Sequence, residues 1–219
     1  MQRIPEPELM DTAEQARAYA AADFADVNQK FVERFRRTFP DFQEGVIVDL
    51  GCGPADICVR IARALPKVRL VAVDGAEAML APGRVAVTEA GLDDRVTLVH
   101  SLLPTGMLAG PFHAVISNSL LHHLPDPMTL WNEVKHLGRP GAPVLIVDLF
   151  RPGSEKAARA IVEEADVSDD PILLEDFYNS LLAAYTLAEV RDQLARAGLS
   201  SLHSDIVSER HLAVWGRLP

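Results

Sequence analysis

Asp49-Leu50-Gly51-Cys52-Gly53-Pro54-Ala55 closes an apolar run, Val46-Ile47-Val48, and precedes a helical stretch, Ile57 to Leu65. Glycines at a strand-to-helix turn let the backbone approach a ligand closely and adopt torsions that other residues avoid. The next apolar run, Leu70-Val71-Ala72-Val73, stops at Asp74. A carboxylate at that strand end can take both hydroxyls of a ribose. A glycine turn alone is weak evidence; with the acid one strand further on it becomes a site for a nucleoside-bearing ligand.

Outward from this turn, apolar runs and helical patterns alternate. Strands are expected at Val96–Val99, Ala114–Asn118 and Val144–Asp148, with helices at Glu77–Ala90 and Leu130–Leu137 between them. Continuous apolar strands separated by helices mean a mostly parallel sheet covered on both faces, with right-handed crossovers. Helices follow at Ser154–Ala165 and Leu173–Tyr185. Thr186 and Glu189 have capping-box spacing for a helix ending at Gly198. Two last strands, around Leu202–Val207 and His211–Trp215, complete an expected seven-stranded α/β sheet finished by an antiparallel hairpin. Ahead of the sheet, Asp11 to Phe39 carries apolar residues at spacings of three and four, including Tyr19, Phe24, Phe31 and Phe35. This reads as a helical cap over 1–45, split near Asp23 to Asn28 and ended by Pro40. Residues 46–219 form the second expected unit, with 154–185 as a helical lid inserted into it.

The chain has 219 residues, enough for one large domain or a domain with a small appendage. Its net charge is −10, which opposes nucleic acid and anionic membranes as partners. Cys52 and Cys58 are too few for a disulfide framework and fit no common zinc spacing. The opening residues carry prolines and acids where a signal peptide needs an apolar stretch, and no apolar run reaches the roughly 18 residues of a membrane helix. A cytoplasmic protein is expected.

Charge around the turn narrows the ligand. Asp49 precedes the glycines and Asp56 opens the helix after them. Negative charge there repels a pyrophosphate and suits a cationic ligand. Both acids point to S-adenosylmethionine, which carries an amine and a sulfonium but no phosphate. With these residues the chain resembles the class I S-adenosylmethionine-dependent methyltransferases. The resemblance rests on Val46-Ile47-Val48-Asp49-Leu50-Gly51-Cys52-Gly53, Val71-Ala72-Val73-Asp74, Phe112-His113-Ala114-Val115-Ile116-Ser117-Asn118 and Arg139-Pro140-Gly141. Leu120-Leu121-His122-His123-Leu124-Pro125-Asp126-Pro127 is similar to the small-molecule branch of that family.

The resemblance implies a Rossmann-like fold, S-adenosyl-L-methionine as cofactor and S-adenosyl-L-homocysteine as product. It implies a cofactor site of Asp49, Gly51, Cys52, Gly53, Asp74, Gly75, Met79, Ser101, Leu102, Asn118 and Ser119. Asp74 would hold the ribose, Asn118 would lie beside the sulfonium, and a side chain at Gly51 would occupy ligand space. Two positions depart from the family pattern. Ala55 stands where a third glycine is usual, and Ser101 where an acid often meets adenine.

Methyl transfer from a sulfonium is an in-line displacement, so the protein chiefly positions the nucleophile and strips its water. Hydroxyl and amine acceptors also gain from a base. His123, His122 and Asp148 are the candidates for catalysis. Tyr19, Phe24, Asn28, Arg151, Tyr178 and Asn179 are expected to bind the substrate; Arg151 would meet an anionic group or pair with Asp148. A capped helix with an aromatic core face is the alternative for Tyr178 and Asn179. No metal site is expected: Asp166, Asp169 and Asp170 read as a solvated acidic loop. The partner is a small molecule, with no nucleic acid or membrane, on a monomer or homodimer. Rival readings are a reaction other than methyl transfer on the same cofactor, a tRNA or rRNA methyltransferase, and a binding module without catalysis.

Overall fold

The computed structural model describes residues 1–6, 12, 14, 19, 22, 24–106, 108–165 and 170–219. The first half of the expected N-terminal helix, with Asp23, lies mostly outside the described residues, as do Asp166 and Asp169. The described helices are α1 (Ala25–Thr38), α2 (Asp56–Ala64), α3 (Glu77–Glu89), α4 (Met128–Leu137), α5 (Glu155–Glu164), α6 (Pro171–Ala183) and α7 (Leu187–Ala197). The strands are β1 (Glu44–Leu50), β2 (Lys67–Asp74), β3 (Val96–His100), β4 (Ala114–Asn118), β5 (Pro143–Leu149), β6 (His203–Ile206) and β7 (His211–Arg217).

The seven strands form one sheet in the order β3-β2-β1-β4-β5-β7-β6. β1 to β5 are parallel; β7 pairs antiparallel to β5 and to β6. The α/β sheet with a C-terminal hairpin is therefore as the sequence predicts. Chain order runs outward from β1 in both directions, so the switch point lies between β1 and β4. There the flanking connections diverge and open a crevice at the carboxyl ends of the strands.

Alternation along the strands separates two cores. Ile47, Ala72, Ile116 and Leu145 face one of them, packed by Phe31, Val32 and Phe35 of α1 and Ile57, Ile61 and Ala62 of α2. Val48, Val73, Val115, Val144 and Ile146 face the other, packed by Leu130, Trp131 and Val134 of α4 and Val190 and Leu194 of α7. A one-residue slip of β1 would exchange these faces, which fixes its register. Inside the second core the Trp131 indole donates to Gln193 Oε1 at 3.0 Å, so both buried polar groups are satisfied. A third cluster joins Leu149, Ala158, Tyr178, Leu181 and Leu182 beneath α5 and α6.

The caps follow their sequence signals. Thr186 and Glu189 form the capping box of α7, and Gly198 ends it at φ +72°. Asp170 caps α6 by accepting from the Ile172 N–H, with Pro171 in the first turn. Asp170 thus serves a helix end.

Candidate active site

β1 delivers its chain into the crevice through a turn that hydrogen bonds hold open. The Gly51 and Cys52 N–H groups both donate to the Val73 carbonyl, at 2.8 and 2.9 Å. Gly51 has φ +73° and Gly53 φ +52°, both in the left-handed region that favours glycine. The two differ in surroundings. A Cβ on Gly51 would stand 2.9 Å from Leu120 Cδ1, whereas one on Gly53 would meet nothing within 4 Å. The expectation that a Gly51 side chain occupies ligand space is thus corrected: it would collide with Leu120, and Gly53 is the glycine with space above it. Ala55, in place of the usual third glycine, also takes a left-handed torsion, φ +62°.

Asp74 ties the second strand to the turn. One carboxylate oxygen accepts from the Gly53 N–H at 2.7 Å and the other from the Ala76 N–H at 2.8 Å. Asp49 lies behind the turn, 3% exposed, accepting from the Cys58 thiol at 3.0 Å. Burial pushes its carboxyl up to about 7; the Cys58 bond opposes the rise and the Asp74 charge adds to it. Asp56 is neutralised locally, accepting from Arg60 Nε at 2.6 Å and from the Asn28 amide at 2.8 Å.

One cavity runs across the strand ends. All eleven residues expected at the cofactor line it: Asp49, Gly51, Cys52, Gly53, Asp74, Gly75, Met79, Ser101, Leu102, Asn118 and Ser119. Tyr19, Phe24 and Asn28 line it too. Tyr19 packs on Phe24 with ring centroids 4.6 Å apart, and burial, helped by Asp74 and Asp56, pushes its phenol up to about 12. The Ser101 hydroxyl donates to the Leu102 carbonyl at 3.0 Å.

The opposite wall contains the two histidines, on a 3₁₀ turn (Leu121–His123) after β4. His122 is 3% exposed, and its Nδ1 lies 2.5 Å from Asp148 Oδ1. The Leu121 N–H donates to the other oxygen of Asp148 at 2.6 Å. Burial alone would depress the His122 pKa, but Asp148 and then Glu6 outweigh it and hold it above its ordinary value. Burial likewise acts upward on Asp148, and His122 keeps it below the usual carboxylate range. Asp148 touches His122 and not the cavity, so its place is behind the imidazole.

Three substrate-side expectations need correction. Arg151 is buried and faces away: it donates to the Ala184 carbonyl at 2.9 Å, to the Met1 carbonyl at 3.2 Å and to Glu189 at 2.7 Å. It pairs with Glu189, not Asp148. Tyr178 points into the third core cluster beneath a guanidinium, that of Arg159, 4.5 Å from its ring centre. Asn179 does not line the cavity either. The lining face of α6 is Leu173, Asp176, Phe177 and Ser180, at helical spacings from Leu173. Sequence reading chose the adjacent face.

Two further groups, outside the expected site residues, stand here. Glu6 reaches the histidines from the N-terminal segment: its Oε1 is 3.5 Å from His122 Nε2 and 3.2 Å from His123 Nδ1. Burial pushes its carboxyl up to about 7, against the opposing His122 charge. Arg210 and His211, at the start of β7, also line the cavity. Burial, with Arg210 assisting, lowers His211 to about 4. Nothing local marks Glu6, and the lining face of α6 mixes Leu173 and Phe177 with Asp176 and Ser180, so no apolar period singles it out.

Comparison with known proteins agrees with this geometry. Residues 47–141 match the family described as "Methyltransferase domain". The trans-aconitate 2-methyltransferase of Azoarcus sp. (strain BH72) is 29% identical over 140 residues, covering 64% of this chain and 53% of that protein. A solved S-adenosylmethionine-dependent methyltransferase from Aquifex aeolicus covers 95% of this chain and 99% of its own, at 17% identity and a TM-score of 0.66. The plantazolicin methyltransferase BamL, solved with a triazolic desmethylPZN analogue and S-adenosylhomocysteine, covers 94% of this chain and 91% of its own, at 13% identity and a TM-score of 0.71. The chain spans about half the length of the curated relatives it matches. The fold is α/β and Rossmann-like. Residues 47–141 carry a methyltransferase domain, and the fold is shared with solved S-adenosylmethionine-dependent methyltransferases. No described helix is long and apolar enough to cross a membrane.

Proposed function

We propose that this chain binds S-adenosylmethionine at the glycine turn and transfers its methyl group to a small-molecule acceptor held against the histidine wall. The observation that carries the reading is Asp74, bonded into the turn through Gly53 and Ala76 beside the open space above Gly53. The residues suit this cofactor on physical grounds. The free space lies over backbone, where a ligand can come close, and a buried acid, Asp49, stands behind it, favouring a cation. Asp74 would hold the ribose. Gly75, Met79, Ser101 and Leu102 would enclose the base, and Asn118 and Ser119 the methionine end. When bound, the cofactor supplies an activated methyl group on sulfur.

The chain's own residues supply position. Asp148 fixes the His122 ring, so its Nε2 edge keeps one direction. His122 and His123 then orient the acceptor's nucleophile or take its proton, while Phe24, Leu173 and Phe177 exclude water from it. A small acceptor is supported by the names of the relatives, a trans-aconitate methyltransferase and a plantazolicin methyltransferase among them. The negative net charge of −10 speaks in the same direction.

The test is calorimetric titration with S-adenosylhomocysteine. Wild type binds; Asp74→Ala loses about 100-fold in affinity, since two charge-supported hydrogen bonds organising the turn go with the carboxylate. Equal affinity in the variant refutes this placement. A labelled methyl group that never reaches any acceptor during turnover would favour another reaction on the same cofactor.

A further inference from the structure

We propose that Glu6, His122 and His123 form a binding site for one divalent first-row metal ion, zinc by its donor set, opening onto the acceptor side of the cavity. The metal site does not depend on what the glycine turn holds; only its use in catalysis does.

Main-chain ties bring Glu6 there. The Ile4 N–H donates to the Leu182 carbonyl at 3.1 Å. Arg3 Nε donates to the Ala183 carbonyl at 2.5 Å, and its Nη2 to the His122 and Leu124 carbonyls at 2.8 and 3.3 Å. The same guanidinium sits 4.2 Å from the Tyr185 ring centre. Residues 1–6 are thereby strapped across the end of α6 and the histidine turn. Glu6 is delivered with its side chain 9% exposed, against 3% and 13% for His122 and His123.

The donor atoms have metal-site spacing. Those of Glu6, His122 and His123 all lie within 4.8 Å of one another. Two pairs are closer: 3.5 Å from Glu6 Oε1 to His122 Nε2 and 3.2 Å to His123 Nδ1. In a tetrahedral zinc site, with bonds of about 2.0–2.1 Å, donor atoms stand about 3.3 Å apart. Two nitrogens and one carboxylate oxygen suit zinc and its neighbours rather than calcium or magnesium.

Two of the donors already have an outer partner. His122 Nδ1 faces Asp148 at 2.5 Å, so in the neutral ring that a metal requires Nδ1 would carry the hydrogen and Nε2 would present its lone pair. A carboxylate behind a ligating imidazole is the usual support of such a ligand. Ser180 Oγ donates to the Glu6 carboxylate at 3.1 Å. Charge fits as well: the carboxylates of Glu6, Asp148 and Asp176 stand around the two imidazoles against one guanidinium, that of Arg3, and this excess of negative charge favours a cation. His122, His123 and Ser180 border the cavity, so the fourth position opens to the acceptor. There the ion can hold and polarise an oxygen or nitrogen of the substrate.

The test uses the full chain, stripped with chelator and titrated with Co(II), read by the visible absorption of tetrahedral cobalt, and with Zn(II) by calorimetry. One equivalent is expected. Glu6→Gln and His123→Ala each weaken it at least tenfold, and Asp148→Asn by 10- to 100-fold. Glu6→Gln keeps the shape and hydrogen-bonding reach of the side chain, so it reports the site even if a truncated variant fails to fold. Absence of stoichiometric binding, or binding unchanged in Glu6→Gln and His123→Ala, overturns the proposal. S-adenosylhomocysteine titrated into the same samples reads the cofactor site separately: binding there without metal binding removes only this inference.

Discussion

The two walls of the cavity are assembled from different material. The glycine-turn wall comes from strand ends and the loops directly after them: Asp49 to Gly53, Asp74 to Ala76, Ser101 and Asn118. Its shape is set by main-chain bonds such as those of Gly51, Cys52 and Gly53. The histidine wall gathers side chains from a strap at residue 6, a turn at 122–123 and helix α6. Its shape depends on tertiary ties, Arg3 and Arg151 above all. A wall made of backbone tolerates few substitutions and suits a ligand that never changes. A wall made of side chains on separate elements can be retuned, which suits an acceptor that differs between relatives.

The contrast is sharpest at two glycines. Gly51→Val puts a branched side chain at φ +73° against Leu120, 2.9 Å from the first added atom. Strain and overpacking together cost about 3–5 kcal/mol, so thermal melting should show a protein largely unfolded or strongly destabilised. Gly53→Ala meets no neighbour, so it costs about 1–2 kcal/mol of torsional strain, keeps the fold and loses S-adenosylhomocysteine binding instead. If both variants melt alike and both bind, the wall is not made of backbone in the way described.

Arg151 breaks the comparison from the other side. Its guanidinium joins Met1, Ala184 and Glu189 and does not line the cavity at the strand ends. Arg151→Ala should cost about 2–3 kcal/mol in denaturant unfolding, because a buried charged hydrogen-bond set is lost. Affinity for S-adenosylhomocysteine should stay within twofold. A substrate role would give the reverse pattern, with weakened acceptor binding and normal stability.

Asp49 gives the glycine-turn wall a pH dependence. Its carboxyl sits at about 7, raised chiefly by burial. A cationic ligand prefers the ionised form, so affinity for S-adenosylmethionine, with its sulfonium and ammonium, should rise as pH climbs through 7, by up to about tenfold between pH 6 and 8, and S-adenosylhomocysteine, which lacks the sulfonium, should show the smaller rise. Stability moves the opposite way. The folded state holds a proton that the unfolded chain releases near its ordinary pKa, so this group's contribution is lost as pH rises through 7. Calorimetry in buffers of different ionisation enthalpy should detect proton release on binding. Asp49→Asn should flatten the affinity profile; an unchanged slope would assign the titration elsewhere.

The same contrast explains what could be read before the structure. β1, β2 and β4 each carry an apolar run that stops at a glycine or a polar group, and those ends belong to the glycine-turn wall. Local pattern and site coincide there. On α6 the stretch Asp176-Phe177-Tyr178-Asn179-Ser180 offers polar groups on every side, and only packing decides. Tyr178 turns to Leu181 and Leu182 in the third core, leaving Phe177 and Ser180 at the cavity. Asp148 lies at the end of β5 and Arg151 two residues beyond it, yet one meets His122 and the other Glu189. Glu6 was beyond reach, because its place follows from Arg3 finding carbonyls at residues 122, 124 and 183. No periodicity encodes that encounter.

The smallest effect is expected at Ala55, where the chain departs from the usual glycine. Its φ of +62° costs a residue with a Cβ about 1–2 kcal/mol. Its methyl group is fully buried in the first core, which returns about 0.8 kcal/mol. Glycine would also leave the unfolded chain freer, at about 0.5–1 kcal/mol. These terms cancel, so Ala55→Gly should change unfolding free energy by less than about 1 kcal/mol and leave S-adenosylhomocysteine affinity unaltered. A loss above about 2 kcal/mol would mean that the methyl's packing under α2 outweighs its torsion. The turn would then owe its shape to side-chain contacts as the histidine wall does, and the distinction between the two walls would fail at its centre.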